Sequence, residues 1–190
     1  VDDIQAGVGR SGGFFSFDGM GFTPDLIPMA KSLSGFGLPF AALLIREDLD
    51  VWKPAEHNGT FRGNGHAFVT AKVALEKFWA DGAFEKEVAK KAAKLEARLL
   101  DIAQKIPGAY LKGRGFMRGV DVGSGDLAER ICARAYENGL IIETSGAHDE
   151  VVKCLAALTI PSELLDRGLD ILERAVEAEV EAAPARLAAE

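Results

Sequence analysis

The sequence predicts an α/β chain, and three observations predict it. Two short apolar runs, residues 25–29 and 40–45, are bounded by glycine and proline and have the length of strands. A long run over residues 83–106 places its apolar side chains every three or four positions, the period of an amphipathic helix. Beyond Pro107 the two patterns alternate over shorter stretches, as in an α+β unit. The change of texture puts a domain boundary near Trp79, dividing the chain into residues 1–79 and 80–190.

The chain has 190 residues, 48% of them hydrophobic, enough to bury a core. A formal charge of −7 offers no basic footprint, so nucleic acid and anionic membrane surfaces are poor partners. No apolar run approaches the roughly 20 residues of a membrane helix, and no basic start precedes an apolar segment. Cys132 and Cys154 stand alone in apolar or amphipathic surroundings, which predicts reduced, buried thiols in the cytoplasm. The chain opens on Val1 and runs directly into Asp2 and Asp3, as the continuation of something longer would.

From Val1 to Phe22, glycines interleaved with Phe14, Phe15 and Phe17 predict loop anchored by aromatics. Gly7-Val8-Gly9-Arg10-Ser11-Gly12 has the letters of a dinucleotide fingerprint but no helix pattern after it, so it is read as turn. The runs at residues 25–29 and 40–45 predict short buried strands flanking a turn, and residues 47–51 a helical turn closed by Pro54. Helix is predicted over residues 66–79, broken at Asp81-Gly82, and again over 83–106, whose lysines and glutamates form a solvated face. Strands follow from Tyr110 and over 116–122, then a helix over 126–138 closed by Gly139, then strands over 140–144 and 151–155. The last helix starts at Ser162, and its tail is expected to fray from Ala182.

The turn between the first two strands carries Lys31, between Ile27-Pro28-Met29-Ala30 and Ser32-Leu33-Ser34-Gly35. A lysine held among apolar neighbours loses hydration of its ammonium, and its free amine condenses with a carbonyl. Asp2-Asp3-Ile4-Gln5, at the end of a strand, offers a carboxylate for a protonated ring nitrogen, an aliphatic residue for a ring face and an amide for a ring hydroxyl. Either aspartate could equally cap a turn. His57-Asn58-Gly59-Thr60-Phe61-Arg62-Gly63-Asn64 groups a hydroxyl, a glycine-freed amide and a guanidinium, a set that suits a phosphate or a plain surface loop. His57, His66 and Glu56 match no zinc spacing, and His148 is distant, so no metal is expected.

Taken in this order, Asp2-Asp3-Ile4-Gln5-Ala6-Gly7-Val8-Gly9-Arg10-Ser11-Gly12, Pro24-Asp25, Lys31 and Gly59-Thr60-Phe61-Arg62-Gly63-Asn64 resemble the class III aminotransferases of fold type I. Residues 50–60 and 138–146 resemble the branch of that class that serves ectoine biosynthesis. The resemblance covers essentially the whole chain. It implies the end of a large cofactor-binding domain followed by a small α+β C-terminal domain, with pyridoxal 5'-phosphate as cofactor. It implies that Lys31 carries the cofactor as a Schiff base and moves the proton between substrate and cofactor carbons. It also implies that Asp2 pairs with the pyridinium nitrogen, Ile4 lies on the ring and Gln5 reaches its phenolic oxygen. Thr60 would contact the cofactor phosphate of the neighbouring subunit, so a homodimer or higher homo-oligomer would complete each site. The implied reaction takes the amino group of glutamate to aspartate semialdehyde, giving 2,4-diaminobutyrate and 2-oxoglutarate.

Two departures accompany the resemblance. Where many class members carry an arginine for the substrate carboxylate before Pro-Pro-Leu, this chain reads Lys153-Cys154-Leu155-Ala156-Ala157-Leu158, so Lys153 takes that place as a point charge. The family's N-terminal half has no counterpart here, so the 190 residues alone are expected to hold half a site and not to turn over. The alternatives are another class III ω-aminotransferase or a non-catalytic fragment that serves only in oligomerisation.

Overall fold

The structure is a computed structural model that describes residues 1–187. It divides into two units, Val1–Glu87 and Val88–Glu190, with the division falling inside a helix. In the first unit β1 (Leu26–Met29) pairs antiparallel with β2 (Ala42–Ile45), Met29 opposite Ala42. The connection contains one 3-10 turn, Lys31–Ser34. On the other edge of β1, Asp3 bridges Met29 in parallel, with the Asp3 amide donating to the Pro28 carbonyl at 3.0 Å. Arg46, just past β2, is ion-paired with Asp25 before β1 and with Asp48, which pins the open end of the ribbon.

Helix α1 (Gly65–Phe78) starts where the Asn64 side chain accepts the amides of His66 and Ala67. Val8, Ile27, Met29 and Leu33 form the buried centre of this unit, walled by Phe14, Phe15, Phe17, Phe40 and Trp79. The Phe14 ring meets Phe15 and Trp79 edge-on at 4.9 and 5.1 Å, so the glycine-rich opening is held by aromatic packing as expected. β2 departs from expectation: Leu43 and Leu44, on opposite faces of the strand, are both nearly half exposed, because within its unit the two-stranded ribbon is fully covered on neither face at this point. Gly7 to Gly12 closes through successive turns, such as Ser11 amide to Ala6 carbonyl at 3.2 Å, and no helix follows it.

Helix α2 (Ala83–Ala103) stops three residues before the expected end, where the amides of Lys105 and Ile106 bond three residues back and tighten the chain toward Pro107. The second unit has one antiparallel sheet in the order β3 (Tyr110–Arg114), β4 (Met117–Asp121), β6 (Val151–Cys154), β5 (Glu143–Ser145). Helix α3 (Gly125–Glu137) packs on β5, β6 and α4 (Ser162–Leu187). Phe116, Val120, Val152, Ile131, Leu95, Leu99 and Leu172 are its fully buried centre. Gly139, at φ 88°, follows α3 in the left-handed conformation, as its position predicted.

Three expectations in this unit need correction. β5 begins at Glu143 and not at Leu140, because the Leu140 amide still closes the end of α3 on the Ala135 carbonyl. α4 continues past Ala182 to Leu187, so fraying from Ala182 does not occur over that stretch, and residues 188–190 lie outside the described chain. α2 is not solvated on all its charges: Lys91 is 5% exposed and donates to the carbonyls of Leu158 and Ile160 at 2.7 and 3.2 Å. Those carbonyls lie in the irregular stretch before α4 and have no ladder partner of their own.

Opposite charges line α2 and α4. Lys94–Asp166, Arg98–Asp170 and Arg98–Glu173 join them at 2.5 to 3.0 Å, and Lys105, in the turn just past α2, pairs with Glu177 of α4 at 2.6 Å. Inside, Glu179 of α4 is 2% exposed and meets Arg130 and Arg134 of α3 at 3.1 and 2.7 Å. The two cysteines are free, Cys132 buried and Cys154 half-buried. Burial pushes their thiols up to about 11 and about 12, with Glu143 adding to the effect on Cys132. No helix among the described residues is long and apolar enough to cross a membrane.

Candidate functional site

The site is built on the β1 edge. Because Asp3 bridges Met29, the opening strand runs alongside β1 and sets Asp2 abreast of Pro28, while Lys31 follows β1 by two residues. Adjacent residues of an extended strand face opposite sides. Asp3, at the bridge, enters the core at 1% exposure, while Asp2 before it and Ile4, in the turn that follows, are exposed. A carboxylate, an aliphatic side chain and an amine are thus displayed at one end of two neighbouring strands.

Asp2 is exposed and not buried as the sequence suggested, and its Oδ1 accepts the Ile4 amide at 3.0 Å, the turn-capping alternative. A carboxylate has acceptor capacity beyond one such bond, so Asp2 retains an oxygen for a ring N–H. Gln5 is half-buried and Ile4 is 38% exposed. The buried aspartate is Asp3, whose Oδ2 accepts the Ser16 amide at 3.0 Å while Oδ1 lacks a hydrogen bond. It tethers the aromatic loop to the strand and leaves no room beside it for more than the glycine at position 7, where a Cβ would lie 2.9 Å from its own. Burial holds the Arg10 guanidinium below its ordinary value.

Lys31 is exposed, which corrects the expectation that apolar neighbours desolvate it. Its backbone explains the exposure. At φ 50° it occupies the left-handed region, which costs an L-residue about 1–2 kcal/mol. That conformation turns the chain out of β1 into the 3-10 turn, whose far end is fixed by Gly35. Gly35 sits at φ 72°, and a Cβ there would meet the Ala74 side chain at 2.4 Å and the Thr70 carbonyl at 3.1 Å. The turn is therefore seated on α1, Leu33 and Ser34 buried and Lys31 outside. Strain concentrated at one residue of a displayed turn is a recurrent mark of functional geometry.

Thr60 lies on the loop between Asp50 and Asn64, all but the last residue of which is exposed. The loop is nevertheless laced: the Trp52 and His57 rings stack at 4.8 Å, Lys53 donates its amide to Glu56 Oε2, and Arg62 donates Nη1 to the His57 carbonyl at 2.9 Å. The Trp52 contact had no signal in the spacing of charged and polar residues. Lys153 is in the second unit, on β6 opposite Glu143 of β5, and its Nζ pairs with Glu143 Oε1 at 2.8 Å. That pairing holds the Glu143 carboxyl below its usual range. A carboxylate taking Lys153 would share its ammonium with Glu143 or displace it, and Glu143 is mostly exposed. Beside the pair, Leu140, Ile142, Leu155, Leu165 and Leu169 line an apolar cleft of about 420 Å³.

The chemistry of the displayed groups fits pyridoxal phosphate: an exposed primary amine for its aldehyde, a carboxylate for its ring nitrogen, and a hydroxyl for a phosphate. Among the described residues no cluster of His, Cys, Asp and Glu is arranged to hold a metal ion.

Residues 1–176 match the family model for the aminotransferases of class III. The chain is 57% identical over 177 residues to a diaminobutyrate–2-oxoglutarate transaminase of Halomonas elongata, covering 91% of this chain and 42% of that protein. A relative of the same name from Nocardia farcinica is 50% identical over 177 residues, covering 93% of this chain and 41% of its own. Among solved structures, the ornithine δ-aminotransferase of Plasmodium falciparum superposes with a TM-score of 0.82 at 29% identity, over 95% of this chain and 47% of that one. The chain thus spans less than half the length of the relatives it matches.

Proposed function

Because the chain belongs to the class III aminotransferases, pyridoxal-phosphate-dependent enzymes of fold type I, we propose that the protein carrying it transfers the amino group of glutamate to aspartate semialdehyde. The products would be 2,4-diaminobutyrate and 2-oxoglutarate, as in ectoine biosynthesis. The observation that carries the reading is Lys31, an exposed amine raised on a strained turn at the same strand end as the Asp2 carboxylate. The name shared by the relatives from Halomonas elongata and Nocardia farcinica supports the choice of substrates.

In this reading Asp2 accepts the N–H of the pyridine ring and keeps it charged, Ile4 packs against the ring face, and Gln5 donates to its phenolic oxygen. The cofactor, when bound, supplies an electron sink for the carbanion left by proton removal. Lys31 Nζ is the base that would take that proton from the substrate carbon and hold it for return. Thr60 donates its hydroxyl to the phosphate in the neighbouring subunit of a homodimer or larger homo-oligomer. Lys153, released from Glu143, pairs with the substrate carboxylate. Residues 1–79 would form the end of the large domain and 80–190 the small domain, in a cytoplasmic enzyme whose thiols stay reduced. The apolar side chains displayed around β2, such as Leu43 and Leu44, suit a surface that the rest of a longer chain covers.

Incubation of the full-length protein with pyridoxal phosphate, borohydride reduction and peptide mapping should place a phosphopyridoxyl group on Lys31. Lys31→Ala should abolish both the label and amino transfer from glutamate. A labelled lysine elsewhere, or transfer that survives the substitution, overturns the assignment.

A further inference from the structure

We propose that Arg62 is a positioning residue that holds the Thr60 hydroxyl in place for the cofactor phosphate, an inference that rests on the reading of Thr60 given above. The loop tip is unusual in being laced at its base and bare at its end. Phe61 is 99% exposed, and the Thr60 hydroxyl makes no hydrogen bond among the described residues. A short polar loop in water has no reason to keep one shape, since each fixed residue costs about 1–2 kcal/mol of backbone entropy. Here the cost is offset from within.

Arg62 closes the loop at two points. Its amide donates to the Gly59 carbonyl at 3.1 Å, and its guanidinium reaches across the neck to the His57 carbonyl at 2.9 Å. Its stem lies on Gly59, where a Cβ would come within 3.1–3.2 Å of Arg62 Cδ and Cγ. The carbonyl it holds belongs to the residue whose ring is stacked on Trp52, so the neck is anchored from both sides. Thr60 sits midway in the six-residue loop so formed. The guanidinium is turned back onto the backbone, which leaves the exposed Thr60 as the hydroxyl-bearing residue of the tip. A preformed donor binds an anion without the ordering cost that a mobile loop would add.

Charge and positioning make different predictions. Lysine keeps the charge but lacks the planar fork, so it cannot hold the His57 carbonyl in the same way. In the full-length protein, apparent Kd values for pyridoxal phosphate and for pyridoxal, which lacks the phosphate, should be measured by absorbance titration of Thr60→Val, Arg62→Met, Arg62→Lys and the Thr60→Val/Arg62→Met double variant. All three single variants should bind pyridoxal phosphate about tenfold more weakly, with pyridoxal binding unchanged. The double variant should be no weaker than Thr60→Val alone, because Arg62 acts only through Thr60. Amide exchange over residues 57–62 should be faster in both Arg62 variants. Rescue by lysine, multiplying effects in the double variant, or unchanged exchange overturns positioning by Arg62. Unchanged phosphate affinity in Thr60→Val overturns the reading of Thr60 itself, and the proposal with it.

Discussion

At the scale of single residues, Lys31 shows what its neighbours in sequence could not. The apolar company of Ile27, Met29 and Leu33 is real, and all three are buried. They are buried beneath the turn, and a positive φ sends the lysine side chain the other way. Its amine is therefore displayed at the surface of this unit. The strain is testable. Glycine adopts φ 50° freely and alanine does not, so Lys31→Gly should be more stable than Lys31→Ala by about 1 kcal/mol, although alanine is the more rigid residue in the unfolded chain. Urea unfolding of the two variants checks it, and an equal or reversed order would mean that the turn carries no backbone strain.

At the scale of elements, charged side chains decide which pieces are joined. α2 reads as amphipathic, and its outer charges do meet α4 in exposed pairs worth a few tenths of a kcal/mol each. Lys91 is different in kind, since its ammonium is buried and caps two carbonyls of the stretch that links β6 to α4. Without it, those carbonyls face the core with no donor, at a cost of about 1–3 kcal/mol for an unsatisfied buried group. Lys91→Met, which preserves the stem, should therefore lower stability by about 2 kcal/mol in urea unfolding. A loss below about 0.5 kcal/mol would show that water satisfies the carbonyls instead.

At the scale of the whole molecule, the two units differ in how they bury apolar surface. The first keeps a small centre around Met29 and leaves Phe22, Leu43, Leu44, Val51, Trp52 and Phe68 exposed, whereas the second buries long stripes of α2, α3 and α4 against a four-stranded sheet. Local opening is easiest where little apolar surface is lost. Hydrogen exchange of this chain should therefore show β1 and β2 exchanging ahead of β4 and β6 by about a hundredfold, equivalent to about 3 kcal/mol of local stability. Equal protection in the two units would contradict the difference in burial.

The elements were legible in the sequence because periodicity alone carries them: α2 and α3 appear within three residues of their expected ends, and the strands on either side of Lys31 within two. The family was legible for a related reason, since the Asp2–Gly12, Lys31 and Gly59–Asn64 motifs are local in the chain. Three-dimensional pairing was needed for the rest. Only the Asp3–Met29 bridge decides that Asp3 enters the core and Asp2 does not, because the alternation of a strand fixes sides only once its partner sets which side is the core. The same holds for Lys153, whose partner Glu143 is ten residues away and meets it through strand register, and for Arg62, whose guanidinium seeks a backbone carbonyl that no residue type announces. Composition and spacing determined which groups this chain has available; the fold decided which of them face water, which face each other and which are left to act.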